Sequence, residues 1–181
     1  YNFKNQNNEL GGYVVLSNKK NSLIMDVGSS PNTKLSTNYQ AGALSFEIIS
    51  NGKKLISNCG YFQKADHQLN EISKSSAVHS TLIVDDKSSS NFSKAKGKKS
   101  KINQGLRILK KKIVFEKNYW KINASHDGYL KLNGIVHDRE IEFYPEQLKF
   151  IGHDNIISNK GIKNLKFEIR FHLEPNVKVM K

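Results

Sequence analysis

The sequence is poor in the residues that staple or rigidify a fold. Among 181 residues it has one cysteine (Cys59), three prolines and one tryptophan. A single cysteine excludes an internal disulfide, and it is compatible with cytosol or periplasm. No base stands near Cys59 to activate its thiol, which favours a buried apolar role over a nucleophile. Long apolar runs are absent. "YVVL" and "SLIM" are strand-sized, far short of the ~20 residues that cross a bilayer as a helix. The opening "YNFKNQNNEL" lacks both Met and an apolar signal core, so it reads as the interior of a longer protein. There is no glycine-rich phosphate loop, no cysteine pair at zinc spacing, no His-Glu helix motif and no nucleophile elbow. These absences exclude an autonomous hydrolase or nucleotide enzyme. Acidic residues are scarce too: 16 against 29 Lys and Arg, for a net charge of +13.

That charge invites a polyanionic partner, whether nucleic acid, anionic polysaccharide or a membrane surface. A second source is composition alone. Only three of the basic residues are Arg, and Lys, Asn and Ile rise together in AT-rich genomes. The length suits one domain that buries roughly two-thirds of its unfolded surface.

The dominant period is two. "LKFEIRFHL" puts Leu165, Phe167, Ile169, Phe171 and Leu173 on one face and Lys166, Glu168, Arg170 and His172 on the other, the pattern of a half-buried antiparallel strand. "ALSFEIIS" alternates likewise, and Asn51-Gly52 after it is a hairpin signal leading into "KLIS". Further strands are expected at "GYVVLS", "SLIMDV", "STLIVDD", "KIVFEKN", "YWKINASHD", "YLKLNGIV", "DREIEFYP" and "QLKFIGHD". Turn residues separate them, and no amphipathic helix of any length is present. The expected fold is all-β: an antiparallel β-sandwich of roughly ten or more short strands forming a single domain over residues 1–181, with a closed barrel as the alternative.

One stretch breaks the pattern. Residues 87–101, "KSSSNFSKAKGKKSK", are Ser- and Lys-rich with a single aromatic, and read as a flexible basic loop. From Lys87 to Lys121 there are twelve basic residues and one acidic, Glu116. Such a run can be a solvated loop, an anionic-glycan surface or a nonspecific nucleic-acid surface. The shortage of interleaved aromatics and Arg argues against nucleic acid.

Six histidines are candidates for chemistry: His67, His79, His126, His137, His153 and His172. His172 falls on the polar face of its strand, and His153 falls in a turn. His126 opens a His-Asp-Gly turn, where Asp127 can accept backbone N–H bonds and Gly128 can take positive φ; substrate contact is the alternative. His137 and Arg139 share a strand parity, so they project from one face. Such a pair can grip a carboxylate or sulfate, or form a solvated edge.

Four fragments in order, "YQAGALSFEIISNGKKLISNCGY", "SSAVHSTLIVDD", "NASHDGYLKLNGIVHDREIEF" and "RFHLEP", resemble the C-terminal β-sandwich domain of heparinase II/III-like proteins over roughly residues 12 to 178. The resemblance implies a bacterial polysaccharide lyase, with the periplasm as a fitting compartment. An N-terminal (α/α) toroid would join this domain, with the substrate cleft between the two. The implied reaction is β-elimination on a uronic acid, in which the base, the acid and most carboxylate-neutralising groups come from the toroid. The family's sandwich carries a His-x-His-x-Asp motif, a later Asp and a later His, part of which holds a structural zinc. These positions fall at Asn38, Gln40 and Gly42, then Asn58, then His79. Only His79 keeps the family's residue. Zinc wants three or four N, S or carboxylate ligands, which a histidine and two amides do not supply. No metal and no cofactor is therefore expected. The substrate-wall residues implied are Gln40, Asn58, His79, His126, His137 and Arg139, facing an anionic polysaccharide; for His79 the alternative is a partly buried structural residue in an amide–imidazole cluster with Gln40 and Asn58. The isolated chain is expected to be inactive as a lyase. The alternative reading is a non-catalytic glycan-binding or structural module.

Overall fold

The computed structural model describes residues 8–62, 64, 67–94, 99–158, 161 and 164–180. The fold is all-β. A five-stranded antiparallel meander is formed by β1 (Glu9–Leu10), β2 (Tyr13–Ser17), β3 (Asn21–Asp26), β4 (Phe46–Ser50) and β5 (Lys53–Ile56). Two short pairing strands follow in sequence, β6 (Leu82–Val84) and β7 (Asn91–Ser93), and then β8 (Lys101–Gln104). The second large sheet has four antiparallel strands, β9 (Ile108–Phe115), β10 (Trp120–His126), β11 (Ile135–Tyr144) and β12 (Lys149–Ser158), in the order β12-β11-β10-β9. The last strand, β13 (Phe167–Ile169), pairs with β6, and β7 pairs with β8. Helix is confined to single turns, among them α1 (Leu69–Ile72) and α2 (Leu130–Asn133). Among the described residues no helix is long and apolar enough to cross a membrane.

Alternation builds the sandwich. Val14, Leu16, Leu23, Met25, Phe46 and Ile48 point inward from the first sheet. They meet Trp120, Ile122, Ala124, Ile141 and Phe143 from the second. Each large side chain fully buried there contributes roughly 1.5–3 kcal/mol, an upper estimate because unfolded chains are already partly collapsed. The β4–β5 hairpin turns at Asn51 (φ 48°) and Gly52 (φ 74°), the left-handed pair that the Asn-Gly signal requires. The same alternation leaves Tyr13, Ile24, Asp26 and Glu47 on the outer face of the first sheet. Tyr13 pairs with Asp26 and Ile24 with Glu47 across neighbouring strands.

Several expectations need correction. "YLKLNGIV" is not one strand. Its first half is α2, and Gly134 ends that turn at φ 69°, its N–H donating to the Leu130 carbonyl. Residues 87–101 are not simply a loop. Ser89 and Ser90 are buried, Asn91–Ser93 is β7, and Ser100 is buried where β8 begins. Hydroxyls, rather than apolar groups, hold this stretch down: Ser89 N–H donates to Ser76 Oγ, and Ser76 N–H donates to Ser88 Oγ. Residues 95–98 lie outside the described residues. His153 sits within β12 rather than in a turn. Gly128 does not take positive φ. It is small because a Cβ there would lie 2.4 Å from the Ser89 carbonyl oxygen.

The 165–173 strand buries less of its apolar face than its alternation suggests. Phe167, Ile169, Phe171 and Leu173 are 56%, 37%, 52% and 40% exposed, while Arg170 and His172 on the other parity are partly buried. Arg170 Nη1 donates to the Ala77 carbonyl, His172 N–H donates to Ser80 Oγ, and His172 Nε2 is buried. These polar contacts fix the strand against residues 77–81, and its apolar stripe is only partly covered: Leu165 packs on the Leu82–Tyr129 cluster and Phe171 lies edge-on to Phe46, while much of the stripe stays exposed.

Candidate functional site

A cavity of about 450 Å³ lies on the outer face of the first sheet. Tyr13, Ile24, Asp26 and Glu47 form its floor, and residues 38–40, Gly42, Ser45, 58–60 and His79 close it. Hydrogen bonds between three loops build the enclosure. Ala41 N–H donates to the Lys74 carbonyl (2.9 Å), Ser76 Oγ to the Ala41 carbonyl (2.6 Å) and Thr81 Oγ1 to the Ala43 carbonyl (2.8 Å). On the other side, Cys59 N–H donates to the Val78 carbonyl (3.0 Å) and Ser80 N–H to Asn58 Oδ1 (2.7 Å). Both stitches end beside His79, so Gln40 and Asn58, 18 residues apart in sequence, line the same space.

The His79 Nε2–H donates to the Ser73 carbonyl at 3.0 Å, leaving Nδ1 as the acceptor on the Gly42 side. A Cβ on Gly42 would meet that ring at 3.2 Å, so glycine makes room for it. Burial pushes the His79 pKa down, and the ring is neutral at neutral pH. Asp26 is pushed up to about 7, because burial outweighs the one N–H it accepts, from Gly28 at 3.0 Å. Glu47 accepts from Asn58 N–H at 3.1 Å and pairs with Lys54 at 3.2 Å. Cys59 is half-buried on the cavity wall. The site thus offers a neutral imidazole, amides, phenols and a carboxylate poised near neutrality. No lysine or arginine lines it among the described residues.

The other three expected wall residues are elsewhere. His126, His137 and Arg139 are 1%, 0% and 0% exposed, so none can reach a ligand. Parity was correct, but the face is the core face: Ile135, His137, Arg139, Ile141 and Phe143 all point inward from β11. Their polar groups are satisfied in a chain. Gly128 N–H donates to His126 Nδ1 (3.0 Å), so the His126 proton is on Nε2, which donates to His137 Nδ1 (3.2 Å). His137 Nε2–H then donates to Asp154 Oδ1 (2.6 Å). Arg139 forks onto the same carboxylate, Nε to Oδ1 at 2.7 Å and Nη2 to Oδ2 at 3.0 Å. Burial drives both imidazoles to lower pKa. Asp154 is driven to about 2: burial opposes this, but the His137 and Arg139 hydrogen bonds outweigh it. Arg139 Nη1 donates to the Leu44 (3.0 Å) and Ser80 (2.7 Å) carbonyls, directly behind the cavity. The cluster is therefore the backing of the site.

A two-sheet antiparallel sandwich, carrying a polar cavity on the outer face of one sheet, is the class of domain that these elements define. The chain belongs to the heparinase II/III-like C-terminal family, whose model matches residues 6–181. Among solved structures it is similar to a heparan sulfate lyase, HepC from Pedobacter heparinus (TM-score 0.58, 17% identity). It is also similar to a heparinase III gene product with methylated lysines (TM-score 0.58, 18% identity). Each match covers 81% of this chain and 21% of the other, so this chain spans about a fifth of those proteins. Comparison with curated protein sequences yields no match.

The family's zinc does not fit these residues. The donor set at its positions is two neutral amides and one imidazole, and the buried Gln40 Nε2 has no partner of its own. Among the described residues no group of three His, Cys, Asp or Glu could hold an ion. Sequence reasoning missed Tyr13, Asp26, Tyr39 and Glu47. Their one signal was position: each is a polar or aromatic residue on the outward parity of an apolar strand, or beside one.

Proposed function

We propose that this chain is the β-sandwich wall of a polysaccharide lyase cleft. The parent protein would cleave a uronic-acid-containing anionic polysaccharide by β-elimination, with a helical toroid as the companion domain. The observation that carries this reading is the cavity in which Gln40, Asn58 and His79 converge. Amides, phenols and a neutral imidazole suit the donor-and-acceptor hydroxyls of a sugar ring. The exposed apolar face of Phe167, Ile169, Phe171 and Leu173 suits burial against a helical companion. Base and acid belong to the parent's other domain, and this chain contributes binding and orientation.

The test is the parent protein on heparan sulfate and alginate, followed by the absorbance of the unsaturated uronate product. Turnover by the parent, lost in a toroid variant and absent from this chain alone, is the expected result. Product formed by this chain alone would overturn the division of labour. The second reading is a non-catalytic glycan-binding module, favoured by the amides at Gln40 and Asn58. It predicts saturable binding by the parent with no turnover.

A further inference from the structure

A second pocket of about 390 Å³ lies between α1, the serine segment 87–90 and Ser100. We propose that it is a separate glycan subsite, taking a sulfate or carboxylate of a sugar adjacent to the one in the first cavity. This rests on reading the first cavity as a glycan site. Three lysines line the second pocket, Lys74, Lys87 and Lys94, against one carboxylate, Glu71.

Lys74 makes this a built site and not a solvated lysine run. It is 4% exposed, and its ammonium donates to the Ser100 carbonyl (2.8 Å), to Ser100 Oγ (2.8 Å) and to Glu71 (3.4 Å). Ser100 Oγ in turn donates to the other Glu71 oxygen. The buried positive charge is thereby fixed at the pocket wall, 5.6 Å from the centre of the Phe92 ring. Lys87 and Lys94 are exposed at the rim, and among the described residues neither ammonium has a direct carboxylate partner. The Ser75 and Ser88 hydroxyls, 3.3 Å apart, add neutral donors. The three ammonium N–H groups of Lys74 are taken up by Ser100 and Glu71, so Lys74 holds the pocket wall in place, while the exposed Lys87 and Lys94 ammoniums and the serine hydroxyls are the groups an oxyanion on a sugar would meet.

The two pockets share a wall. Tyr39 of the first packs on Phe92 of the second, with ring centres 6.2 Å apart. Ser30 Oγ donates to the Tyr39 hydroxyl (3.1 Å) and lies 3.4 Å from Ser90 Oγ. Charge differs across that wall: Asp26 and Glu47 without a lysine on one side, three lysines against Glu71 on the other. A polyanion therefore places uncharged hydroxyls in the first cavity and its anionic group in the second.

The test uses the parent protein and a heparan sulfate hexasaccharide, with affinity measured by calorimetry at ~150 mM salt. Lys87→Ala/Lys94→Ala is compared with Lys19→Ala/Lys20→Ala, which removes the same formal charge from an exposed hairpin. The first pair should weaken binding roughly tenfold and flatten the salt dependence, and the second should change affinity by less than about twofold. Either desulfation or carboxyl reduction of the probe should reproduce the loss in wild type, identifying which anion is held. Equal losses from both lysine pairs, no loss from the first, or a probe insensitive to both modifications would overturn the subsite. Wild type that binds no form of the probe would instead overturn the reading of the first cavity, and this subsite with it.

Discussion

Two regions of this domain are built around histidine, and they behave in opposite ways. In the sealed cluster of His126, His137, Arg139 and Asp154, each ring nitrogen and guanidinium nitrogen has a partner. Around the cavity, Gln40 Nε2 and the nearby His172 Nε2 are buried without one, and His79 Nδ1 packs against Gly42 on the cavity wall. Satisfied polar groups in a core specify one packing, whereas unsatisfied ones beside a cavity mark a place for a ligand. The regions are coupled, since Arg139 holds the Leu44 and Ser80 carbonyls behind the cavity. One is therefore the mounting and the other the proposed binding surface.

The most severe way to break this division is Arg139→Met. It leaves the Asp154 carboxylate half-paired in the core and two carbonyls without donors. Stability to urea should fall by about 3–5 kcal/mol, and glycan binding should fall with it. The next largest effect is acid unfolding. Both cluster histidines have folded pKa values below the unfolded 6.5, so their stabilisation is complete above pH 6.5 and is lost as pH falls below it. Asp154, driven from 3.8 to about 2, adds a second loss as pH falls below 3.8. A pH series of thermal melts should show this acid limb, and His79→Gln should leave most of it intact.

Asp26 runs the other way. Its folded pKa of about 7 lies above the unfolded 3.8, so its contribution is favourable below pH 3.8 and is lost as pH rises through 7. Asp26→Asn should therefore stabilise the domain by about 1–2 kcal/mol at pH 8 and flatten the alkaline limb, after allowance for the solvent that reaches this half-buried group. Gly42→Ala should cost only about 1 kcal/mol, because the Ala41–Ser45 segment can give by tenths of an ångström. It should still weaken glycan binding by displacing the His79 ring. The smallest effect in wild type concerns zinc. Dialysis against the metal should leave none bound stoichiometrically, whereas Gln40→His/Asn58→Asp should create a site, read by metal analysis.

Much of this was legible from residues alone. Alternation in "FEIIS", "WKINASH" and "IVHDREIEFY" specified extended chain, and the resemblance brought Asn38, Gln40, Gly42, Asn58 and His79 to what proved to be one cavity. Other features were only half legible. His137 and Arg139 shared parity with Ile141 and Phe143, which pointed to the core, but their charge suggested the surface. The missing knowledge was Asp154, a cross-strand partner of Arg139 on β12 that turns two costly buried groups into a satisfied network.

The sequence by itself determined that the chain is extended, where its hairpins turn, and which side chains share a face, because a period of two and Asn-Gly chemistry are local properties. The tertiary structure decided which face is buried. Residues 165–173 show this most clearly: a regular apolar stripe stays largely exposed, although Leu165 and Phe171 touch core side chains, because the strand is held against residues 77–80 by Arg170 and the His172 backbone N–H. Local alternation sorts side chains into two sets. Only the layers and loops that arrive from distant parts of the chain determine which set meets protein and which meets solvent or a ligand.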